Sequence, residues 1–269
     1  MRVSVIVPTR NSARTLAACL ESIRAQTHRD LELLVVDNRS ADETQEIAKG
    51  LSDVVLVAGP ERSAQRNRAA EVATGASFLF VDSDMILDPA VVAECVEMAV
   101  AGAAAVIVPE ESFGVGFWAR CKALERSCYV GDTSIEAARF FTREIFERVG
   151  GYDITLMGSE DWDLHERARQ AGARVSRTTA KIWHDEGRLE LDELLAKKFS
   201  YGKTLGRYRR KHPALARAQL RLFRPAFFRH RARLLRSPLV TSGILVMKSG
   251  EVAAGAAGLI AATIERRRR

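Results

Sequence analysis

The sequence predicts an α/β protein with an open, mostly parallel sheet that is covered by helices on both faces. Short apolar runs alternate with amphipathic segments of helical spacing through residues 1–110, a pattern typical of repeated strand–helix–strand units. Three of the apolar runs end in polar side chains, as strands do where such a sheet binds a ligand. The length of 269 residues, 47% of them hydrophobic, suffices for one large domain or one domain with an appendage.

The predicted strands are β-branched or apolar runs that are short enough to be buried parallel strands. They lie at residues 3–7, 31–36, 54–57, 78–81 and 104–108. Helices are predicted between them at residues 13–25, 42–49, 64–73 and 89–100. Pro89 suits the first turn of the last of these helices, and Asp88 suits its N-cap. Strands that alternate with helices in this way imply right-handed crossovers between parallel strands, and therefore an open parallel sheet.

A second section and a helical extension follow. Within residues 111–190, helices are predicted at 117–128, 143–149 and 164–171, and a short strand at 181–183. From residue 191 onwards the sequence predicts helical segments that are broken at Pro213, Pro225 and Pro238.

The charge is unevenly distributed along the chain. The formal net charge is +7, from 41 Lys and Arg against 34 Asp and Glu. Residues 194–269 contain 19 of the basic residues and only two acids, whereas residues 1–193 have a net charge of −10. The protein therefore has an acidic body and a basic extension, and the extension predicts an anionic partner such as membrane lipid or nucleic acid.

Missing motifs argue against several classes of protein. No G-x-G-x-x-G follows the first strand and no G-x-x-x-x-G-K-[ST] occurs, which argues against a dinucleotide fold and a P-loop enzyme. The sequence also lacks the H-E-x-x-H motif of many zinc hydrolases. The scattered cysteines predict reduced thiols, and the N-terminus has no signal-peptide pattern, so we expect a cytoplasmic catalytic part.

The first candidate site lies at the end of the fourth predicted strand. Asp82 and Asp84 flank Ser83 there, and two carboxylates at that spacing suit Mg²⁺ or Mn²⁺. His184 follows the 181–183 run and is a candidate third ligand. Taken singly, the aspartates also suit a solvated turn, and the histidine also suits a structural role.

The second candidate site precedes the predicted helix at 164–171. A carboxylate of Glu160 or Asp161 could act as general base towards a bound hydroxyl, although acids at a helix N-terminus also interact favourably with the helix dipole. Trp162 offers a flat apolar face to a ring or chain of an acceptor. Arg66, in the helix before the fourth strand, could reach a phosphate or could be an ordinary exposed arginine.

Five motifs, in this order and spacing, resemble those of the family-2 glycosyltransferases of the GT-A fold. They are Val3-Ser-Val-Ile-Val-Pro-Thr-Arg-Asn11, Val35-Val-Asp-Asn-Arg-Ser40 with Asp42, Arg66-Asn67, Asp82-Ser-Asp84 and Glu160-Asp161. The resemblance implies a GT-A catalytic domain at residues 1–190, with a nucleotide-binding half at 1–110 and an acceptor half at 111–190. A basic helical C-terminal extension would then occupy residues 191–269. Asn38 and Arg39 depart from the acid and glycine that are commoner in the family.

The resemblance also implies roles for individual residues. Those expected around the nucleotide sugar are Pro8, Thr9, Arg10, Asp37, Arg66, Asp82 and Ser83. Those expected around a Mn²⁺ or Mg²⁺ cofactor are Asp84, Asp82 and His184. Asp161 matches the catalytic base, with Glu160 as its neighbour and Trp162 on the acceptor side.

These roles imply metal-assisted, inverting transfer of a sugar from a nucleotide-diphosphate donor, with a UDP-sugar favoured. An ionised phosphate acceptor would need no base, so the base position favours a hydroxyl acceptor, on a glycan or a lipid-linked sugar. A nucleotidyltransferase is the alternative enzyme. A nucleic-acid-associated protein that uses the basic extension is the alternative outside enzymes, although no nucleic acid is expected as a partner.

The extension predicts contact with an anionic membrane, at the inner face of the cell membrane. Cations are interleaved with Phe223, Phe227 and Phe228, as in helices that lie among lipid headgroups. The apolar stretches 239–247 and 252–264 are separated by residues 248–251, so neither reaches the roughly 20 residues of a spanning helix. We expect them to lie in the interface, with residues 266–269 on the cytoplasmic side. A re-entrant hairpin, packing within a dimer and ordinary core helices are alternatives.

Overall fold

The computed structural model describes residues 1–219 and 224–267. Arg221, Phe223, Arg268 and Arg269, which the sequence places in the basic extension, lie outside the described residues. The chain forms two compact units. The first comprises residues 1–110, 137–154 and 160–185, and the second comprises 111–136, 155–159 and 186–269. The functional division at residue 190 stays a prediction.

The helices and strands follow one another along the chain with few long loops. Through residue 110 they are β1 (Val3–Thr9), α1 (Ala13–Arg24), β2 (Leu31–Asp37), α2 (Thr44–Leu51), β3 (Val54–Val57), α3 (Arg62–Val72), β4 (Ser77–Phe80), β5 (Met85–Leu87), α4 (Val91–Val100) and β6 (Ala105–Ile107). Then follow β7 (Glu110–Val115), α5 (Phe117–Ser127), β8 (Phe140–Thr142), α6 (Arg143–Arg148), α7 (Glu160–Gln170), β9 (Val175–Arg177) and β10 (Ile182–Arg188). The extension contains α8 (Leu191–Lys211), α9 (Pro213–Gln219), α10 (Pro225–Arg229), α11 (Arg231–Leu235) and α12 (Pro238–Arg267).

The main sheet lies in the first unit and has the order β3-β2-β1-β4-β8-β6-β9. β1 pairs parallel with β2 on one side and with β4 on the other. β8 is antiparallel to both β4 and β6, so the sheet is mostly rather than wholly parallel. The carboxyl ends of β1, β2 and β4 therefore lie side by side, and the polar residues that follow these strands meet at one edge of the sheet.

Both faces of the sheet are buried, as the unbroken apolar runs predict. Alternate strand residues such as Val5 and Val35 face a core that includes residues of α1 and α4. Their neighbours, such as Ile6 and Phe80, face a second core that includes residues of α3, α6 and α7. The predicted α/β class with helices on both faces is confirmed.

The start of α4 differs from the prediction. Its N-cap is Ala90 rather than Asp88, and Pro89 lies before the helix. The Asp88 carboxylate instead accepts hydrogen bonds from the Lys181 backbone nitrogen at 3.0 Å and from Trp183 Nε1 at 2.8 Å. Asp88 is thus used to join the loop before α4 to β10, a contact between residues far apart in sequence.

The second unit has a core of its own, formed by residues of α5, α8 and α12. The helical pattern breaks at the three predicted prolines, and each of them begins a new helix: Pro213 begins α9, Pro225 begins α10 and Pro238 begins α12. α8 and α12 approach closely at glycines: a Cβ atom on Gly202 would lie 2.2 Å from the Gly255 carbonyl oxygen, and one on Gly258 would lie 2.0 Å from the Phe199 carbonyl oxygen.

The end of the chain corrects the prediction of two separate apolar stretches. Residues 238–267 form the single helix α12, which continues through Lys248 and Glu251. Both charged side chains lie on its buried side, 12% and 4% exposed, so they do not interrupt it. In the described part of the chain, Pro238–Glu265 is long and apolar enough to cross a membrane, by length and composition alone.

Candidate active site

Asp37, at the carboxyl end of β2, is fully buried and holds the loop that follows it. Its carboxylate accepts hydrogen bonds from the Ser40 backbone nitrogen and from Gln45 Nε2, both at 2.9 Å. The hydroxyl of Thr9, at the end of β1, donates to it at 3.2 Å, and the Ser40 hydroxyl is a fourth donor. Asp37 therefore couples the ends of β1 and β2 to the loop.

The two departures from the family pattern lie in this loop. Asn38 Nδ2 donates to the Pro60 carbonyl oxygen at 2.7 Å, and a Cβ atom on Gly59 would meet the Asn38 side chain. Arg39 has a φ of +52°, in the left-handed region that favours glycine. The loop thus keeps a conformation that suits the commoner glycine although an arginine occupies the position.

Arg66 is the centre of the site. The sequence left open whether it is exposed, and the structure buries it completely on α3. Its guanidinium donates to Asp82 Oδ1 at 2.6 Å and to Asp161 Oδ1 at 3.0 Å. One cation thus joins the acid at the end of β4 to the acid in the first turn of α7.

A second buried arginine extends this arrangement. Arg139 lies 3.5 Å from Asp82 Oδ2 and forms a short ion pair with Glu110. Burial alone would raise the pKa of Asp82, but the guanidinium groups of Arg66 and Arg139 hold that pKa well below its usual range. Asp82 is therefore ionised at neutral pH. We call Arg66, Arg139, Glu110, Asp82 and Asp161 the arginine–carboxylate network.

Tyr152 completes the surroundings of Asp161. Its hydroxyl donates to Asp161 Oδ1 at 3.2 Å, and its ring lies under the Arg66 guanidinium, 4.9 Å from ring centroid to Cζ. Asn67 holds the Tyr152 backbone through two hydrogen bonds of 2.9 Å. Burial raises the pKa of Tyr152 well above its usual value, so the phenol stays protonated and acts as a donor.

Glu160 has a different environment from its neighbour Asp161. Its carboxylate is almost completely buried, and Oε1 accepts a hydrogen bond from Arg62 at 2.9 Å. Oε2 has no hydrogen-bond partner among the described residues. Burial, reinforced by the negative charge of Asp161, raises the pKa of Glu160. The side chain of Asp161 is 30% exposed, so it is the more accessible of the two acids.

Asp84 and His184 are brought together across the pairing of β5 with β10, in which His184 lies opposite Met85. Asp84 Oδ2 and His184 Nε2 are 3.1 Å apart. His184 Nδ1 is buried without a hydrogen-bond partner. The described residues contain no group of three or more His, Cys, Asp and Glu side chains around one point. The pair nevertheless fits Mg²⁺ or Mn²⁺, because such ions use one or two protein ligands and take the rest from substrate phosphates and water.

The remaining predicted site residues lie near the same sheet edge. Pro8 and Thr9 end β1, and Arg10 follows as an exposed residue. Ser83 donates to the Ser12 hydroxyl at 2.9 Å, which links the end of β4 to the residue before α1. Trp162 lies in the first turn of α7 and is partly buried.

Arg62, Arg139 and Tyr152 lie in the site although the sequence did not predict them there. Arg62 could have been found, because it precedes Arg66 by four residues and therefore shares its face of α3. Arg139 and Tyr152 carry no such pattern. They reach the site only because β8 inserts beside β4 and because the turn at Gly150 and Gly151, both with positive φ, leads into Tyr152.

Comparison with known proteins identifies the class. The description "Glycosyl transferase family 2" matches residues 4–157. A PGL/p-HBAD biosynthesis glycosyltransferase of Mycobacterium bovis is 30% identical over 195 residues, 65% of this chain and 72% of the relative. Succinoglycan biosynthesis protein ExoA of Rhizobium meliloti is 28% identical over 236 residues, 78% of this chain and 71% of the relative.

Solved structures agree on the fold. The mannosyltransferase PcManGT from Pyrobaculum calidifontis, in complex with GDP-Man and Mn²⁺, superposes with a TM-score of 0.68 at 21% identity, covering 96% of this chain and 86% of that one. S. aureus TarS 1–349 in complex with UDP-GlcNAc gives 0.57 at 15% identity, covering 98% and 92%.

The mostly parallel sheet with its helices and C-terminal helical extension thus has the GT-A fold. The chain belongs to glycosyl transferase family 2. It is an enzyme, and the family membership favours sugar transfer over the nucleotidyltransferase and nucleic-acid hypotheses.

Proposed function

We propose that the protein transfers a sugar from a nucleotide-diphosphate donor to a hydroxyl group, with inversion at the anomeric carbon. The observation that carries the proposal is the arginine–carboxylate network, because it places an accessible acid, Asp161, in fixed relation to the end of β4. Asp161 removes the acceptor proton as the hydroxyl oxygen attacks the anomeric carbon opposite the departing diphosphate. Both hydrogen bonds from Arg66 and Tyr152 end on Oδ1, which leaves Oδ2 to the acceptor.

Arg66 acts as a positioning residue in this mechanism. Its two amino groups already bind carboxylates, so it orients Asp82 and Asp161 rather than holding a phosphate. Tyr152 acts in the same way, by restricting the rotation of the Asp161 carboxylate.

The donor side uses the ends of β1, β2 and β4. Pro8, Thr9, Arg10 and Asp37 form the base and ribose region, with Ser83 and Asp82 beside it. Asp84 and His184 would hold a divalent cation, which supplies positive charge to the donor diphosphate when bound. Of the proteins with a similar fold, PcManGT binds GDP-Man and Mn²⁺, and TarS 1–349 binds UDP-GlcNAc. We favour a UDP-sugar as the donor of this protein.

The acceptor is proposed to be a glycan or a lipid-linked sugar, with Trp162 as an apolar contact. Relatives act in PGL/p-HBAD biosynthesis and in succinoglycan biosynthesis. We place the enzyme in the cytoplasm, attached to the inner face of the cell membrane through the basic extension. Exposed cations on α8, such as Lys203 and Arg207, would contact anionic headgroups.

The test is a thermal-shift panel of nucleoside diphosphates and nucleotide sugars, each with and without Mn²⁺. We expect at least one UDP compound to raise the melting temperature, and Mn²⁺ to increase the shift. Asp84→Asn should remove the Mn²⁺-dependent part of the shift. Asp30→Asn is the control, because Asp30 is 58% exposed and pairs only with the N-terminal amine among the described residues.

Two results would count against the proposal. If no nucleotide stabilises the protein, with or without metal, the donor site is wrong. If Asp84→Asn behaves as the control does, the metal assignment is wrong while the donor site stands.

A further inference from the structure

α12 exposes apolar side chains and buries the charged side chains of Lys248 and Glu251, which is the reverse of a helix on the surface of a water-soluble protein. Such a helix normally buries its apolar face and exposes its charges. In α12 the large apolar residues Leu239, Leu245, Val246, Val252, Ile260 and Ile264 are each at least 48% exposed. From residue 239 to residue 264, no exposed residue is charged.

The exposed positions repeat every three or four residues and form one continuous line along the helix. We call this line, from Leu239 to Ile264, the α12 stripe. Apart from the large apolar residues it contains only Ala, Ser and Thr. The hydroxyls of Ser242 and Thr263 donate to the carbonyl oxygens of Leu239 and Leu259 in the same helix, so these groups need no water.

The two charged residues of α12 between residues 239 and 264, Lys248 and Glu251, are directed inwards, where a buried set of ion pairs neutralises them. Lys248 Nζ lies 2.9 Å from Glu125 of α5 and 2.7 Å from Glu251. Glu251 in turn lies 3.1 Å from Lys122 of α5 and 3.6 Å from Lys198 of α8. A buried ion pair adds little stability beyond an apolar pair of the same shape. Because these ion pairs hold Lys248 and Glu251 inside, the exposed face of α12 from residue 239 to residue 264 carries no charge.

The neighbouring elements carry the complementary chemistry. α8 runs beside α12, with Gly202 against Gly255, and its exposed residues include Lys197, Lys203, Arg207 and Arg210. A spanning orientation of α12 would draw these cations into hydrocarbon, at high cost. An orientation in the plane of the membrane leaves them among the headgroups while the apolar line enters the acyl layer.

We propose that the α12 stripe is a lipid-binding surface that inserts into one leaflet with α12 parallel to the membrane plane. The inference rests on the membrane attachment proposed above, and it adds an apolar contact that does not depend on anionic lipid. A second copy of this chain is a poorer occupant, because apposed stripes would bring two strongly cationic extensions together.

The test compares the flotation of the full chain with vesicles of phosphatidylcholine and phosphatidylglycerol at high salt. Salt screens the headgroup contacts and leaves apolar insertion. Ala256→Glu places a charge on the stripe. Ala196→Glu, at an exposed position of α8, is the matched control with the same change of residue and net charge. We expect Ala256→Glu to weaken partitioning about tenfold and the control to change it less than about twofold.

Val246→Asn is a second variant, which alters the stripe without changing the net charge, in case Ala256→Glu fails to fold. It should weaken partitioning several-fold with an unchanged melting temperature. Equal effects of Ala256→Glu and Ala196→Glu, with Val246→Asn at the wild-type level, would overturn the inference. Binding of the wild type to anionic vesicles at low salt would then still uphold the electrostatic attachment.

Two other outcomes also overturn it. One is a lipid-free dimer in sedimentation that Ala256→Glu and Val246→Asn dissociate without altering flotation, which would assign the stripe to a second copy. The other is the absence of vesicle binding under every condition, which would remove the proposed membrane attachment as well.

Discussion

At the residue scale, the site depends on one arginine that is wholly enclosed by acids and an aromatic ring. Removing one partner of a buried ion pair leaves an uncompensated charge, which costs far more than the pair contributes. Arg66 has two carboxylate partners, so the cost of its loss falls on Asp82 and Asp161 together.

Arg66→Met should therefore lower the free energy of unfolding by about 3–5 kcal/mol. The control on the same helix is Arg68→Met, because Arg68 is 52% exposed and pairs only with Glu71 among the described residues. The free energy of unfolding of Arg68→Met should stay within about 0.5 kcal/mol of the wild-type value. Urea unfolding of the two variants measures both values. Comparable losses would show that Arg66 is an ordinary helix residue.

This loss should itself depend on pH. The folded protein holds the pKa of Asp82 below its unfolded value, so Asp82 contributes stability that is fully present above the unfolded pKa of about 3.9. That contribution is lost as the pH falls below this value. The difference between wild type and Arg66→Met should accordingly shrink in acid.

The pKa of Glu160 is shifted in the opposite direction to that of Asp82. Its pKa is raised in the folded protein, so the folded state binds its proton more tightly than the unfolded state does. The free energy of unfolding should fall as the pH rises above about 4.5, the ordinary value for this group. Glu160→Gln removes the titration, so its stability should decline less between acid and neutral pH. Parallel pH profiles for Glu160→Gln and wild type would contradict this.

Asp161 is the proposed general base, so its replacement tests the chemical step directly. Asp161→Asn keeps the size of the side chain and removes the base, so turnover should fall about 10²- to 10⁴-fold while the nucleotide still binds. Steady-state transfer together with nucleotide titration measures both quantities. Glu147→Gln, at an acid that is 61% exposed on α6, is the control and should leave turnover unchanged. Wild-type turnover in Asp161→Asn would remove the base assignment.

At the element scale, two kinds of contact build the structure. Five strands of the main sheet, β1, β2, β3, β4 and β6, follow from apolar runs in the sequence, whereas β8 and β9, each three residues long, were not predicted. The packing of α8 against α12 depends instead on glycines. The two backbones approach so closely that a Cβ atom on Gly202 or Gly258 would overlap the backbone of the other helix.

Gly258→Ala should consequently destabilise the second unit, although alanine is the better helix former. The added methyl group would overlap the Phe199 carbonyl oxygen, and such overpacking typically costs about 1–3 kcal/mol. Gly50→Ala in α2 is the matched control, since a Cβ atom there meets nothing within 4 Å. Urea unfolding should give a loss for the first variant and no loss, or a gain, for the second. Equal values would contradict the close approach.

At the scale of the whole molecule, the charge is divided between an acidic body and a basic extension. The body contains the carboxylates of the site, whereas residues 194–269 carry a formal charge of +17. The extension cannot be tested by deleting it, because α12 supplies core residues such as Ile244 and Met247 to the second unit.

Salt titration tests it in the intact chain. Binding to vesicles that contain phosphatidylglycerol should weaken as salt is added, since each cation near an anionic surface contributes about 1 kcal/mol that salt screens. Phosphatidylcholine vesicles are the control, and binding to them should change little with salt. Equal salt dependence on both kinds of vesicle would argue against a role for the cations.

The sequence alone determined the alternation of strands and helices through residue 110 apart from the short strand β5, the positions of the strand-end acids and the family. Apolar periodicity reports which face of each element is buried, and that information is local. The path of the 38–40 loop was not accessible in this way, because Arg39 occupies a left-handed position that its residue type does not predict.

Only the tertiary structure decided which charges pair. Arg66 and Asp161 are 95 residues apart in the chain, and Arg139 and Asp82 are 57 apart, so no spacing rule connects them. The same holds for α12: Lys248 and Glu251 interrupt the apolar pattern in the sequence, yet the helix continues because α5 and α8 supply their partners. Whether a charge ends an apolar segment or is neutralised within the fold depends on what packs against it, and local sequence does not contain that information.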